Sequence, residues 1–259
     1  MPPHVRRLPP LARPPTYDPA SLRARFLPFP LTPPPGSTSM SWNTVLEKFA
    51  RLPRPERELP EGVWAASDSR TLTIFDGYEK AKYHMLVLPR DPFLLDDAGT
   101  TVPSRVLTSL SALLASPHAL PVLQALRNAG EEVAEMIRDE MEKSEGWSWE
   151  VRMGFHAVES MRHVHLHVIS SDMISPKLKQ KKHWNSFHPT LGYFLHLEDV
   201  IRGVEAGGYH LDPPKSYESL LTGPLVSQYP PYATFANLPK LKVHLEEEWE
   251  RAGRRARVA

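Results

Sequence analysis

The heptapeptide His163–Val164–His165–Leu166–His167–Val168–Ile169 constrains this chain more than any other segment. Polar and apolar residues alternate through it, and a side-chain period of two belongs to a β-strand whose apolar side is buried. Val164, Leu166 and Val168 then face a core. The three imidazoles line the opposite face at roughly 6–7 Å spacing, twice the rise per residue. A single strand histidine is ordinarily a packed or solvated side chain. Three in register, with His156 close in sequence, crowd titratable rings that depress one another's pKa, which stability does not select.

The surrounding pattern supplies a sheet for this strand. Thr71 to Phe75 reads as a strand, Asp76–Gly77 as a turn, and Tyr83 to Leu88 as a second strand closed by Pro89, together a hairpin. From Pro103 to Lys143 the pattern is helical. Val122, Leu126, Ala129, Val133, Met136, Ile137 and Met141 recur every three or four positions, so one helix face packs on the sheet. Trp147 to Met153 is expected as a third strand, followed by Gly154–Phe155–His156, and Arg162 to Ser170 as the fourth. Ser41 is placed to cap a short helix from Trp42 to Ala50, with Trp42, Val45, Leu46 and Phe49 on one stripe. The expected class is α+β, an antiparallel sheet with helices on one face, over residues 40–205. Residues 206–259 read as a separate small unit broken by Gly207–Gly208, Pro213–Pro214 and Gly223–Pro224. Its one amphipathic helix runs from about Leu238 to Trp249, capped by Asn237, with Pro239 in the first turn.

Composition removes several classes of function. The chain has 259 residues, and 31 Lys and Arg against 30 Asp and Glu leave a formal charge of +1, so any polyanion-binding face must come from local clustering. There is no cysteine, which excludes disulfides, iron–sulfur clusters, thiol nucleophiles and thiolate zinc sites. No apolar run reaches membrane-spanning length, and a soluble intracellular protein is expected. Of 28 prolines, 12 fall between Pro2 and Pro35, and residues 1–39 hold five arginines and one acid, Asp18. Such a segment cannot propagate a helix or a ladder and is expected to be a disordered basic arm.

Two chemistries fit three imidazoles on a strand. Imidazole binds zinc, yet no carboxylate or thiolate nearby completes a ligand set and alternate strand positions splay ligands in a line. The other use is nucleophilic: a neutral central imidazole attacks phosphorus while its neighbours orient it and hydrogen-bond the phosphoryl oxygens.

The word His-φ-His-φ-His-φ-φ is the signature of the histidine-triad superfamily, and longer segments resemble its aprataxin branch. These are Lys80–Ala81–Lys82–Tyr83–His84–Met85–Leu86–Val87–Leu88–Pro89, Gly154 to Met161, and the run from His163 through Ser175–Pro176 to Lys181–Lys182–His183–Trp184–Asn185–Ser186–Phe187. The likeness covers about residues 41–250. It implies removal of AMP from 5′-adenylated DNA ends left by abortive ligation, with adenylated RNA–DNA junctions or 3′-guanylated ends as close variants. By the same likeness His165 is the nucleophile, His163 and His167 flank it and contact phosphate, and His156 neutralises phosphate and helps the DNA 5′-phosphate leave. Ser160 and Met161 are expected at the phosphate and the pocket wall, and Lys80 as the nearby cation.

Other residues carry two readings each. Asp76 either holds ribose hydroxyls or is a hairpin-turn aspartate, and His84 either supports the pocket or bonds backbone in the core. Leu72 and Phe75 either sandwich adenine or are plain core. The cluster Lys177, Lys179, Lys181, Lys182, His183 and Trp184 reads as a DNA contact, with Trp184 able to stack on a terminal base, or as a solvated basic loop. Trp42 is either a wedge at the DNA end or a helix anchor. The likeness extends to a C-terminal zinc finger, but only His244 and Glu248 match its ligands. The two cysteine positions fall near Ser227 and Pro230, so a metal-free remnant packed by Leu238, Leu241, Leu245, Phe235 and Trp249 is expected, still touching DNA through Lys240 and Lys242. No cofactor is expected. A nuclear repair enzyme with partners on the arm is the leading reading, ahead of a hydrolase of small AMP conjugates and of a non-catalytic DNA-end-binding module.

Overall fold

The computed structural model describes residues 42–258; the arm 1–39 and the cap Ser41 lie outside the described residues. A 3-10 turn, Trp42–Thr44, leads into α1 (Val45–Ala50), and α2 (Pro55–Glu58) follows. The main sheet contains β1 (Trp64–Ser67), β2 (Thr71–Phe75), β3 (His84–Pro89), β6 (Val151–His156), β7 (Leu166–Ser170) and β8 (Phe194–His196), all antiparallel, in the order β1-β2-β3-β7-β6-β8. A small ribbon of β4 (Phe93–Leu94) and β5 (Thr101–Val102) hangs off β3.

The helical stretch after Pro103 breaks into three pieces rather than one. A 3-10 segment, Ser104–Thr108, is followed by α3 (Leu110–Leu114) and by α4 (Ala119–Glu145). Ser109 is extended and its hydroxyl accepts from the Ala112 N–H, so it starts a new helix where continuous periodicity suggests an old one continues. Gly146 ends α4 at φ +76°, a left-handed turn in which its N–H reaches the Glu142 carbonyl. Val122, Leu126, Val133, Ile137 and Met141 of α4 are buried against Met85, Val87, Leu166 and Val168 of the sheet, as the spacing anticipates.

Helices also cover the opposite face, contrary to the one-sided expectation. There α1 sets Leu46 on Leu72, Ile74, Leu86 and Leu88. At the other end α5 (Lys181–Phe187) buries Trp184 and Phe187 with Ile169, Met173 and Phe194. The imidazole side of β3 and β7 lies between these two caps, with the His84, His165 and His167 rings buried.

Two strands differ from their sequence reading. β6 starts at Val151, not Trp147, because the Trp147 and Trp149 rings turn out to pack with Trp249. It runs on through Gly154 to His156 because β8, not read from the sequence, pairs with it there. Gly154 permits this: a Cβ would lie 2.5 Å from the Leu195 carbonyl and 2.6 Å from the Phe194 ring. β7 begins only at Leu166, since the His163 and Val164 N–H groups bond the carbonyls of Thr108 and Leu107 instead of β3.

The C-terminal residues add α6 (Leu197–Glu205), α7 (Pro214–Thr222), a hairpin of β9 (Leu225–Val226) and β10 (Thr234–Phe235), and α8 (Leu238–Ala256). Asn237 caps α8 by accepting from the Lys240 N–H. Leu225, Leu241 and Leu245 share the cluster of Ile169 and Trp184. Asn185 donates from Nδ2 to the carbonyls of Leu220, Leu221 and Gly223, and Trp184 from Nε1 to Val226 at 2.9 Å. No described helix is long and apolar enough to cross a membrane.

Candidate active site

Pairing sets the site's geometry. In register, His84 of β3 faces Ile169 of β7 and Leu86 faces His167, while Gly154 of β6 flanks His167 from the other side. His156, two residues on, therefore shares the His167 face. The rings of His156 and His167 lie 4.5 Å apart, those of His165 and His167 5.0 Å apart, and those of His84 and His167 5.2 Å apart. A small cleft lined by Leu110, Phe155, His156, Glu159, Val164 and His165 opens beside them.

The three triad histidines are not equivalent. His165 places Nδ1 2.8 Å from the backbone oxygen of His163. A carbonyl only accepts, so Nδ1 carries the proton and Nε2 of the neutral ring keeps its lone pair. His163 itself leaves the alternating pattern. Its φ is +92°, its ring is buried, and Nε2 donates to the Pro89 carbonyl at 2.7 Å. It orients the central ring through its peptide, and its side chain braces β3; the expected phosphate contact is corrected. His167 approaches His84 through Nδ1, at 3.0 Å from His84 Nε2, and keeps a buried Nε2 without a partner; the Nε2 of His156 is likewise unpartnered.

His84 does both things foreseen for it. Its Nδ1 accepts from the Lys80 backbone N–H at 3.3 Å and also lies 3.3 Å from Asp76 Oδ2. With the proton of Lys80 filling Nδ1, His84 donates from Nε2 to His167, and His167 keeps a buried Nε2–H without a partner. With the Asp76 contact dominant, the tautomers reverse. Asp76, His84 and His167 form the one set of potential ligand groups converging within 4.8 Å among the described residues, but these atoms face one another as a hydrogen-bonded relay. Asp76 is also a turn aspartate, its Oδ1 accepting from the Tyr78 N–H at 2.7 Å.

Burial is the main cause that lowers the pKa of His84, His156, His163, His165 and His167 below the ordinary imidazole value, His84 to about 4. Neighbouring charges act both ways: Lys80 lowers His84, His156 and His167 further, while Asp76 opposes the burial at His84 and His165. Lys80 is buried, bonds the Tyr78 carbonyl, and has its own pKa lowered by burial against the opposing pull of Asp76 and Glu79. The rings are therefore neutral at neutral pH and one cation stands beside them, an arrangement for nucleophilic displacement at an anionic phosphorus.

Other expected site residues divide. Ser160 is exposed and Met161 half-buried against the Leu72–Leu86 cluster. Leu72 has no exposed surface, and Phe75, three positions on, falls on the α4 side of β2, so the two do not form walls of one adenine pocket. Trp184 is core, 1% exposed, and offers no face to a base. Lys177 is tied to the β2–β3 turn, 2.9 Å from the Gly77 carbonyl and 2.7 Å from Glu79, and Lys242 donates to the Ser175 carbonyl at 3.1 Å. Lys181, Lys182 and Lys240 remain exposed. His183 is half-buried, its Nδ1 3.3 Å from the Lys179 N–H, with a pKa lowered to about 4 chiefly by burial and next by Lys80. Trp42 leaves the apolar stripe of its helix and is 64% exposed, so it does not anchor α1. The carbonyl of Asn43 accepts from Arg162 N–H at 2.6 Å, which fixes this turn beside the histidine strand.

Phe187 was not among the expected site residues. It packs edge-on to His84, His156 and His167, with centroids 5.3, 4.5 and 5.0 Å away. Its spacing of three from Trp184 marks both as one helix face, but not which cluster each would meet. Glu159 lies in the cleft and accepts from the Leu110 N–H.

An antiparallel sheet with one imidazole aimed by peptide and others around it defines a protein of the histidine-triad class. Residues 100–183 match the family model described as scavenger mRNA decapping enzyme C-term binding, and residues 190–251 match the C2HE / C2H2 / C2HC zinc-binding finger. Similar proteins include the aprataxin of Ciona intestinalis, 35% identical over 81% of this chain and 46% of its own length, and that of Gallus gallus, 34% identical over 85% and 60%. The chain thus spans about half the length of these relatives. A crystal structure of the aprataxin ortholog Hnt3 in complex with DNA superposes with a TM-score of 0.57 at 22% identity, covering 83% of this chain and 98% of that one. The chain belongs to the aprataxin family.

Proposed function

We propose that this chain removes AMP from 5′-adenylated DNA ends through a covalent AMP–His165 intermediate. The observation that carries the reading is the 2.8 Å contact from His165 Nδ1 to the His163 carbonyl, which leaves Nε2 as the nucleophile. Nε2 attacks the adenylate phosphorus, a P–N bond forms, and the bridging P–O bond breaks to release DNA with its 5′-phosphate. Water then attacks the same phosphorus, the P–N bond breaks, and AMP leaves with the ring restored. His167 and His156 have unpartnered nitrogens available for the charge that develops on the phosphoryl oxygens, and the Lys80 ammonium makes the potential there more positive. No step uses a metal. Exposed Lys181, Lys182 and Lys240, with Trp42, supply the surface for a DNA end. A nuclear setting and protein partners recruited through residues 1–39 are part of the same proposal.

Gallus gallus and Ciona intestinalis aprataxins and the DNA-bound Hnt3 structure support this reading by similarity. The test is AMP release from a 5′-adenylated nicked duplex in EDTA, beside AMP-lysine, an adenylated RNA–DNA junction and a 3′-guanylated end. Faster turnover of the duplex is expected. Equal or faster turnover of AMP-lysine would replace the reading with a hydrolase of small conjugates.

A further inference from the structure

The finger family that matches residues 190–251 implies a zinc ion, and the residues here do not fit one. Zinc in such sites takes thiolate, imidazole or carboxylate. This chain has no cysteine, and by spacing the positions of the family's two fall near Ser227 and Pro230. A neutral hydroxyl is a poor zinc ligand, and proline offers no side-chain donor. The remaining donors are engaged: His244 Nε2 lies 2.8 Å from Ser227 Oγ, and Glu248 pairs with Arg251 at 2.5 Å.

We propose that the C-terminal unit is a finger that has exchanged its metal for a hydrogen bond and an aromatic seat. Ser227 has no exposed surface, its Oγ also accepts from the Tyr229 N–H at 3.0 Å, and its N–H bonds the Ala233 carbonyl. The hydroxyl proton is thus free for the imidazole, and the turn is saturated. The His244 ring lies against Phe235 at 4.8 Å and an interplanar angle of 32°. Together these join the β9–β10 hairpin to α8 where the family's ligands would converge on a metal.

The far end of α8 is held separately. Trp249 packs against Trp147 and Trp149, with Lys82 Nζ 4.1 Å from its ring centroid. At Gly253 the helix approaches so closely that a Cβ would lie 2.9 Å from the Trp147 ring nitrogen. The expected packing of Trp249 with Leu238 and Phe235 is corrected by this seat. Two attachments at opposite ends fix the orientation of α8, so a metal is not needed to set it.

Zinc content of untagged protein expressed with added zinc, the unfolding midpoint with and without EDTA, and amide exchange in Ser227→Ala test this. Below about 0.1 zinc per chain and an unmoved midpoint are expected. Amides of β10 and α8 should exchange at least about tenfold faster in Ser227→Ala while those of β7 keep their rate. One zinc per chain, a midpoint lowered by EDTA, or unchanged exchange in the variant would each overturn the proposal. If Ser227→Ala does not fold, zinc content and EDTA response of the unaltered chain decide.

Discussion

The Nδ1 of His165 sits 2.8 Å from the main-chain oxygen of His163, so the ring of one triad residue is aimed by the peptide of another. The side chain of His163 is spent elsewhere, on the Pro89 carbonyl. Replacing either residue should therefore have different consequences. On the proposed mechanism, His165→Ala removes the attacking ring and should lower AMP release by at least about 10³-fold with DNA binding intact. Residual turnover of a few per cent would exclude a direct attack.

His163 holds φ +92°, which glycine adopts without strain and alanine does not. Both His163→Gly and His163→Ala lose a buried ring. The glycine variant should nonetheless unfold later than the alanine variant, by about 1–2 kcal/mol in denaturant titrations, and retain more turnover because its carbonyl stays in place.

His84 lies one ring behind His167, at 3.0 Å. His84→Gln should leave KM within a small factor and lower kcat roughly 10- to 100-fold, the usual loss when the partner orienting a working imidazole is removed. A proportional rise in KM with kcat unmoved would assign His84 to substrate binding instead.

Burial depresses the pKa of five histidines, and the sign of the effect follows. Between an unfolded value near 6.5 and the lower folded values, the unfolded chain binds more protons, so stability falls as pH falls. The unfolding midpoint should decline from about pH 6.5 toward pH 4, the value His84 reaches. Because the lowered pKa keeps His165 neutral below 6.5, turnover should persist into that window until unfolding removes it. An acid limb of kcat centred at or above 6.5 with the fold intact would contradict this.

Lysines that looked alike in sequence are predicted to differ at the DNA. Lys181→Glu with Lys182→Glu alters two exposed ammonium groups and should reduce the salt slope of duplex binding by about two units. Lys177→Gln should leave the slope unchanged and loosen the β2–β3 turn, because Lys177 already pairs with Glu79 and the Gly77 carbonyl.

Tryptophans separate in the same way. Trp184→Ala empties a core position and should cost about 3–5 kcal/mol in chemical denaturation. Trp42, 64% exposed, should tolerate alanine within about 0.5 kcal/mol while losing affinity for a DNA end.

Much of this molecule was readable from local pattern. Strict alternation identified the histidine strand and its apolar side, a three-to-four residue period identified the sheet-facing side of α4, and Asn237 announced the start of α8. Local pattern did not reveal β8, whose three residues are too few to show a period, nor the break at Ser109, where a capping hydroxyl interrupts an unbroken apolar rhythm. It offered both Trp184, beside the lysine cluster, and Trp42, on the N-terminal helix, as contacts for a DNA end, since side-chain type carries no record of burial.

The sequence by itself determined the cluster of imidazoles and the exclusion of thiol chemistry, because four histidines, the absence of cysteine and a strand period of two are properties of residue order alone. Only the tertiary structure decided which nitrogen of the His165 ring is tied to backbone and which keeps its lone pair. The His84–His167 contact across two strands, Phe187 wedged against three rings and Ser227 facing His244 join residues from separate elements, and the carbonyl beneath His165 belongs to a residue two positions earlier held at φ +92°. Hydrogen-bond direction and desolvation depend on those distances, and distance between segments is set by packing, not by spacing along the chain.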